Sequence, residues 1–167
     1  MFYPKPVDVP GRPRTPVGGA RPQLIVGGQG SPRSFRMAAR YADEFNLSSA
    51  SPDSAREAFA GVDAACDAIG RDPATVTHSV MTGVLIGRDE AEMAARLTTA
   101  TSAFGAEDDG TWLEERLERW ITGTPEQAQA AVRRFAEAGV ERIMLQDLLP
   151  WDLDMIDVMG EVLVGQV

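Results

Sequence analysis

Beyond its first 22 residues this chain three times sets a hydroxyl residue directly before proline: Ser31-Pro32, Ser51-Pro52 and Thr124-Pro125. Each pair is a helix start with a mechanism. The hydroxyl can cap an orphan amide of the first turn, and proline at the first helical position gives up a donor that had no partner there. Behind each pair the apolar residues fall at helical spacing. They are Phe35, Ala38, Ala39 and Ala42 after the first, Ala55, Phe59, Val62, Cys66 and Ile69 after the second, and Ala128, Ala131, Val132 and Phe135 after the third. Gln127 completes a capping box at the third start, while Gly70 with Pro73, and Gly139, stop the second and third helices.

Short apolar runs at residues 24–27, 45–47, 77–86 and 142–145 read as strands between these helices. Such alternation favours an α/β fold with parallel strands and right-handed helical crossovers. One stretch breaks the rhythm. Residues 89–121 hold two helices, the second opening with Thr111 and Glu114 as a capping box and carrying Leu113, Leu117, Trp120 and Ile121 on one face. This is read as an insertion after the third strand, its acidic run Glu107-Asp108-Asp109 as a solvated loop. The tail PWDLDMIDVMGEVL supplies a last helix with Leu153, Ile156 and Met159 or Gly160 on one side. Residues 1–22 contain six of the 11 prolines and read as an extended lead-in, leaving 23–167 as one domain.

Composition narrows the function. The 16 Lys and Arg against 25 Asp and Glu give a formal charge of -9, which opposes binding to nucleic acid or anionic lipid. Without a long apolar run or a signal-like N-terminus, the chain reads as a cytoplasmic protein. Cys66, the sole cysteine, sits at apolar spacing and reads as a buried structural thiol, and His78, the sole histidine, as a structural residue at the start of a strand. No spacing suggests a metal site. Trp112, Trp120 and Trp151 read as packing anchors.

The chemical signal is the turn in LIVGGQGSPRSFRMAARYADEFN, residues 24–46. Gly27, Gly28, Gln29 and Gly30 lie between a strand and the Ser31 cap. Amides at a helix N-terminus point outward and attract anions, and glycines let phosphate oxygens approach the backbone. Arg33 is a possible counter-charge. GGQG is neither GxGxxG nor GxxxxGK[ST], so from the residues alone the turn is either a candidate anion site or simply a tight strand-to-helix connection.

The order of the blocks adds to this. LIVGGQGSPRSFRMAARYADEFN, SPDSAREAFAGVDAACDAIGRDP, TVTHSVMTGVLIGRDEAE, GTPEQAQAAVRRFAEAGVERIMLQ and DLLPWDLDMIDVMGEVL together resemble the C-terminal half of the luciferase-like monooxygenase superfamily, in its coenzyme F-420 (deazaflavin) branch. The resemblance implies strands five to eight of a (β/α)8 TIM barrel, a fold that takes about 250 residues when whole. It implies an oxidoreductase acting on a small organic substrate, with F-420 or alternatively FMN as cofactor. Gly27, Gly28, Gln29, Gly30 and Ser31 would hold the cofactor phosphate. The catalytic residues would belong to the N-terminal half, and none is assigned here. Glu44 and Phe45 stand where the family often has glycine and tryptophan.

A half-barrel leaves two open sheet edges and uncovered inner side chains such as those of Ile25, Met81 and Met144. The expected partner is an N-terminal half-barrel or a second copy of the chain. A dimerising half-barrel without turnover is the non-enzymatic alternative. A barrel isomerase or aldolase using a Schiff base is disfavoured because the only lysine is Lys5.

Overall fold

The computed structural model describes residues 22–105 and 111–165. The elements follow in the order β1 (Ile25–Gly28), α1 (Pro32–Tyr41), β2 (Glu44–Ser48), α2 (Pro52–Asp67), β3 (Thr77–Ile86), α3 (Glu90–Ala103), α4 (Thr111–Glu114), β4 (Ile121–Gly123), α5 (Pro125–Glu137), β5 (Arg142–Asp147) and α6 (Leu153–Leu163). Residues 1–21 of the proline-rich lead-in and the acidic run at 107–109 lie outside the described residues.

All three hydroxyl-proline pairs open helices, and at Ser31 and Ser51 the hydroxyl caps a first-turn amide as the sequence suggests, whereas the Thr124 hydroxyl bonds Glu126 at 3.1 Å. Ser31 Oγ accepts from the Ser34 amide at 3.2 Å while Ser34 Oγ accepts from the Ser31 amide at 2.9 Å, a reciprocal box. Ser51 Oγ accepts from the Ser54 amide at 3.3 Å, and Gln127 Oε1 accepts from the Thr124 amide at 2.9 Å.

All strand pairs among the described residues are parallel. β2 and β5 both pair with β3 over Ser79–Met81, so they occupy its opposite edges. Val84 pairs with both β4 and β5, which places the short β4 on the same edge as β2, beyond the end of that strand. The main run is therefore β1-β2-β3-β5, half the strand number of an eight-stranded barrel. The helices α1, α2, α5 and α6 lie in that order across its outer face.

Alternation along the strands sorts the two faces. Phe45, Leu47, Val80 and Val84 point to the helices and form one core with Ala38, Phe59, Val62 and Phe135. Phe45 meets Phe35 of α1 edge-on, with ring centroids 5.9 Å apart. α1 approaches α2 at Gly61, where a Cβ would lie 2.5 Å from the Phe35 ring. The other, concave face carries Glu44, Asn46, Ser79 and Arg142. Glu44 is fully buried; its carboxylate accepts from Ser79 Oγ at 2.6 Å and Gln23 Nε2 at 3.2 Å and pairs with Arg142 at 2.9 Å. Asn46 Nδ2 donates to Ser79 Oγ at 2.8 Å. A buried carboxylate needs such a full set of partners. On the same face Ile25 is exposed and Met81 and Met144 half-buried, as an uncovered inner face implies.

Four expectations are corrected. The second helix of the 89–121 segment is one turn, Thr111–Glu114, and Ile121 belongs to strand β4. The β-branched pair Ile121-Thr122 extends along β3, and Gly123 turns out of the strand with a φ of 109°. Ile69 is exposed, because α2 ends at Asp67 and the chain then turns through Gly70 at φ 70°. α6 buries Met155, Val158, Met159 and Val162 and leaves Leu153 and Ile156 exposed. Trp151 is no packing anchor: it is 62% exposed in the loop after β5. Trp120, by contrast, packs its indole where a Cβ on Gly83 would lie.

Candidate functional site

In a parallel sheet every strand points its C-terminal end to the same rim, and the loops leaving that rim carry the functional groups. Here the rim is formed by Gly28, Ser48, Ile86 and Asp147 at the ends of the main strands. The glycine turn leaves β1 on this rim. Gly27 faces the concave side, where a Cβ would meet only the Asn46 carbonyl at 3.9 Å. Gly28 faces α1, where the nearest contact of a Cβ is Ser34 at an ordinary 3.5 Å. Neither position has the left-handed backbone that reserves a site for glycine. Packing within the described residues therefore gives no reason for glycine at 27 or 28. Gly30 differs: its φ is 78° and a Cβ would press on Ala58 at 3.3 Å, so the turn itself demands it.

The Ser31 hydroxyl is engaged in the cap, and the amides of Ser31 and Ser34 are taken by the reciprocal box. Pro32 has no amide. What α1 presents to an anion is thus narrower than four amides; the loop residues Gln29 and Gly30 and the amide of Arg33 carry the remainder.

Beside the turn lies a cleft of about 430 Å3 whose polar lining is Gln29, Ser48, Ser49, Ser51, Ser54, Glu118 and Arg119. Of the five residues singled out from the sequence, only Gln29 lines it. Ser49 holds a left-handed backbone at φ 55°, uncommon for a residue with a side chain. The hydroxyl-rich run Ser48-Ser49-Ala50-Ser51-Pro52-Asp53-Ser54 was the available signal for this wall. Arg119 reaches it from the inserted segment, which sequence spacing does not reveal.

A buried ion network braces another part of the rim. Arg96 of α3, with its side chain 7% exposed, pairs with Asp152 at 2.8 Å, Asp154 at 2.8 Å and Glu92 at 2.7 Å, and donates to the Ile86 carbonyl at 3.0 Å. Asp152 is the cap of α6, accepting from the Met155 amide at 3.0 Å. The hydrogen bond from Arg96 holds the Asp152 carboxyl below its usual range, against the opposing effect of burial. Asp154 is lowered chiefly by its hydrogen bonds from Arg88.

His78 lies at the opposite end of the sheet. Its ring stacks on Phe59 with centroids 4.3 Å apart, and Nε2 faces Asp63 Oδ1 at 3.4 Å. Cys66 is buried, and burial pushes its thiol pKa up. Glu44 and Phe45 also sit away from the rim, one bracing the concave face and the other in the helix-side core. Among the described residues no group of three His, Cys, Asp or Glu is placed to hold a metal, and no helix is long and apolar enough to cross a membrane.

The sequence profile of the luciferase-like monooxygenase family matches residues 1–142, and the chain belongs to that family. No curated protein matches the chain. Among solved structures it is similar to an F420-dependent secondary alcohol dehydrogenase in complex with an F420-acetone adduct, at 20% identity and a TM-score of 0.64, covering 86% of this chain and 48% of that one. It is also similar to the coenzyme F420-dependent tetrahydromethanopterin reductase of Methanopyrus kandleri, at 17% identity and a TM-score of 0.64, covering 84% of this chain and 49% of that one. A long-chain alkane monooxygenase matches at 16% identity and a TM-score of 0.66, covering 86% of this chain and 40% of that one. The chain thus spans about half the length of these enzymes or less, and the fold is a partial luciferase-like barrel.

Proposed function

We propose that this chain carries the phosphate-holding part of the cofactor site of a luciferase-like oxidoreductase. The cofactor is the deazaflavin F-420, with FMN as the alternative, and the substrate is a small organic molecule. The observation that supports the reading most is the pair Gly27 and Gly28, glycines at the rim that packing does not require. A phosphate approaching the backbone gives them a reason. Gln29 donates from the adjoining loop, Gly30 sets the turn, and Ser31 fixes the start of α1 so that its positive end faces the same point. Arg33 supplies charge.

Hydride transfer is the chemistry such a cofactor supplies when bound. The residues here bind and orient; the opposite wall of the site comes from the strands that complete the barrel. F-420 is placed before FMN because the tail DLLPWDLDMIDVMGEVL resembles the deazaflavin branch, and two of the similar structures are F420-dependent enzymes. The test is calorimetric titration with FMN of the wild-type chain and of Gly28→Asp, which adds bulk and negative charge at the turn. At least a ten-fold weakening is expected, about 1.4 kcal/mol; equal affinities would remove the phosphate assignment.

A further inference from the structure

The exposed apolar side chains are concentrated at the two ends of the sheet. Among the described residues, nine of the twelve large hydrophobics left exposed belong to the β1-α1 unit or the β5-α6 unit, and α2 and α5 between them expose none. On α1 they are Met37 and Tyr41; on and beside α6 they include Trp151, Leu153 and Ile156. Helical rotation puts Met37 on the side of α1 opposite Phe35, the residue that touches Gly61 of α2, so this flank is turned away from α2. Leu153, Ile156 and Gly160 likewise turn away from Asp154, which Arg88 and Arg96 hold.

The two flanks are opposite in charge. α1 exposes Arg33, Arg36 and Arg40 and has no acidic residue; α6 exposes Asp154, Asp157 and Glu161 and has no basic one. Arg33 and Arg40 border Met37 on the helix surface, and Asp157 and Glu161 border the Leu153 stripe. Each end of one chain therefore complements the other end of a second chain, in both apolar surface and charge.

We propose that two copies of this chain close an eight-stranded parallel barrel, α6 of each copy packing beside α1 of the other. A two-fold axis along the strand direction keeps all strands parallel. It brings β1 of one copy beside β5 of the other at both seams, so four main strands from each copy leave no open edge. The concave face of the partner then supplies the wall that Gly27 and Asn46 lack among the described residues. The proposal rests on the half-barrel fold and stands apart from the phosphate reading.

The experiment measures mass by light scattering at low micromolar concentration for the 167-residue chain and two charge-reversed variants. One carries Arg33→Glu with Arg40→Glu, the other Asp157→Lys with Glu161→Lys. The wild type is expected to be a dimer. Each variant alone brings like charges together at both seams and should dissociate roughly ten-fold or more readily. Mixed, the variants restore opposite charges at both seams and should recover the dimer mass, which an unfolded variant could not do. A monodisperse wild-type monomer, which a half-barrel awaiting a different partner would give, overturns the proposal. So does a dimer indifferent to both reversals, or a mixture that stays dissociated. Gly28→Asp should keep the dimer mass, so a failed cofactor titration and a failed assembly are separate results.

Discussion

Replacing Arg96 with methionine keeps most of the stem and removes the charge that joins Asp152, Asp154, Glu92 and the Ile86 carbonyl. Breaking a buried ion pair from one side costs about 3–5 kcal/mol because the surviving charges lose their partner. The carboxylates here are less buried than Arg96: the Asp152 side chain is 26% exposed and that of Asp154 57%. Water can take over part of their solvation, so a loss of about 2–3 kcal/mol is expected, a discounted value. For a chain of this size that corresponds to roughly 4–12 °C in Tm. Urea unfolding followed by circular dichroism measures it, and the acid limb gives a second reading. The Asp152 carboxyl has its pKa depressed in the folded state, so its contribution is present above its unfolded value, about 3.9, and is lost as pH falls through the folded value. Arg96→Met should flatten that acid loss as well as lower stability at neutral pH. A variant within about 0.5 kcal/mol of wild type, the range of an ordinary surface change, would mean that the Arg96 charge does not hold the fold.

Two other predictions follow from packing and burial. Gly61→Ala drives a methyl into the Phe35 ring and should cost about 1–3 kcal/mol in urea unfolding; Gly61→Ala combined with Phe35→Leu should recover part of the loss, and full stability of the single variant would mean α1 and α2 are not so close. The buried Cys66 thiol, its pKa raised by burial, should resist iodoacetamide at mildly alkaline pH in the native chain and react readily in urea. Equal rates in both conditions would place the thiol outside the core.

What was legible in the sequence is what local chemistry decides. Ser31-Pro32, Ser51-Pro52 and Thr124-Pro125 announce their helices because cap and proline act within one turn. The parallel order followed from alternation. Strand β4 escaped because Ile121-Thr122-Gly123 is too short to show a strand period and continues the helical spacing of Leu117 and Trp120. The inward face of α6 was ambiguous in principle: Leu153, Ile156 and Gly160 make one stripe, Met155, Val158, Met159 and Val162 another, and only tertiary contact chooses. The glycine turn was visible, but its internal division of labour was not. That Gly30 serves the turn while Gly27 and Gly28 leave room above them depends on backbone angles and on Ala58 from another helix. The serine wall at Ser48, Ser49 and Ser54 with Arg119, and the Arg96 network, join residues far apart in the chain.

Whether the Gly27-Gly28 turn holds a phosphate is decided by comparing FMN with riboflavin, which has the same ring and no phosphate. Calorimetric titration of the wild-type chain should give FMN an affinity at least ten-fold higher than riboflavin, about 1.4 kcal/mol, and the gap should close in Gly28→Asp. Equal binding of the two ligands by the wild-type chain, or a gap that survives Gly28→Asp unchanged, would mean that this turn does not hold the phosphate.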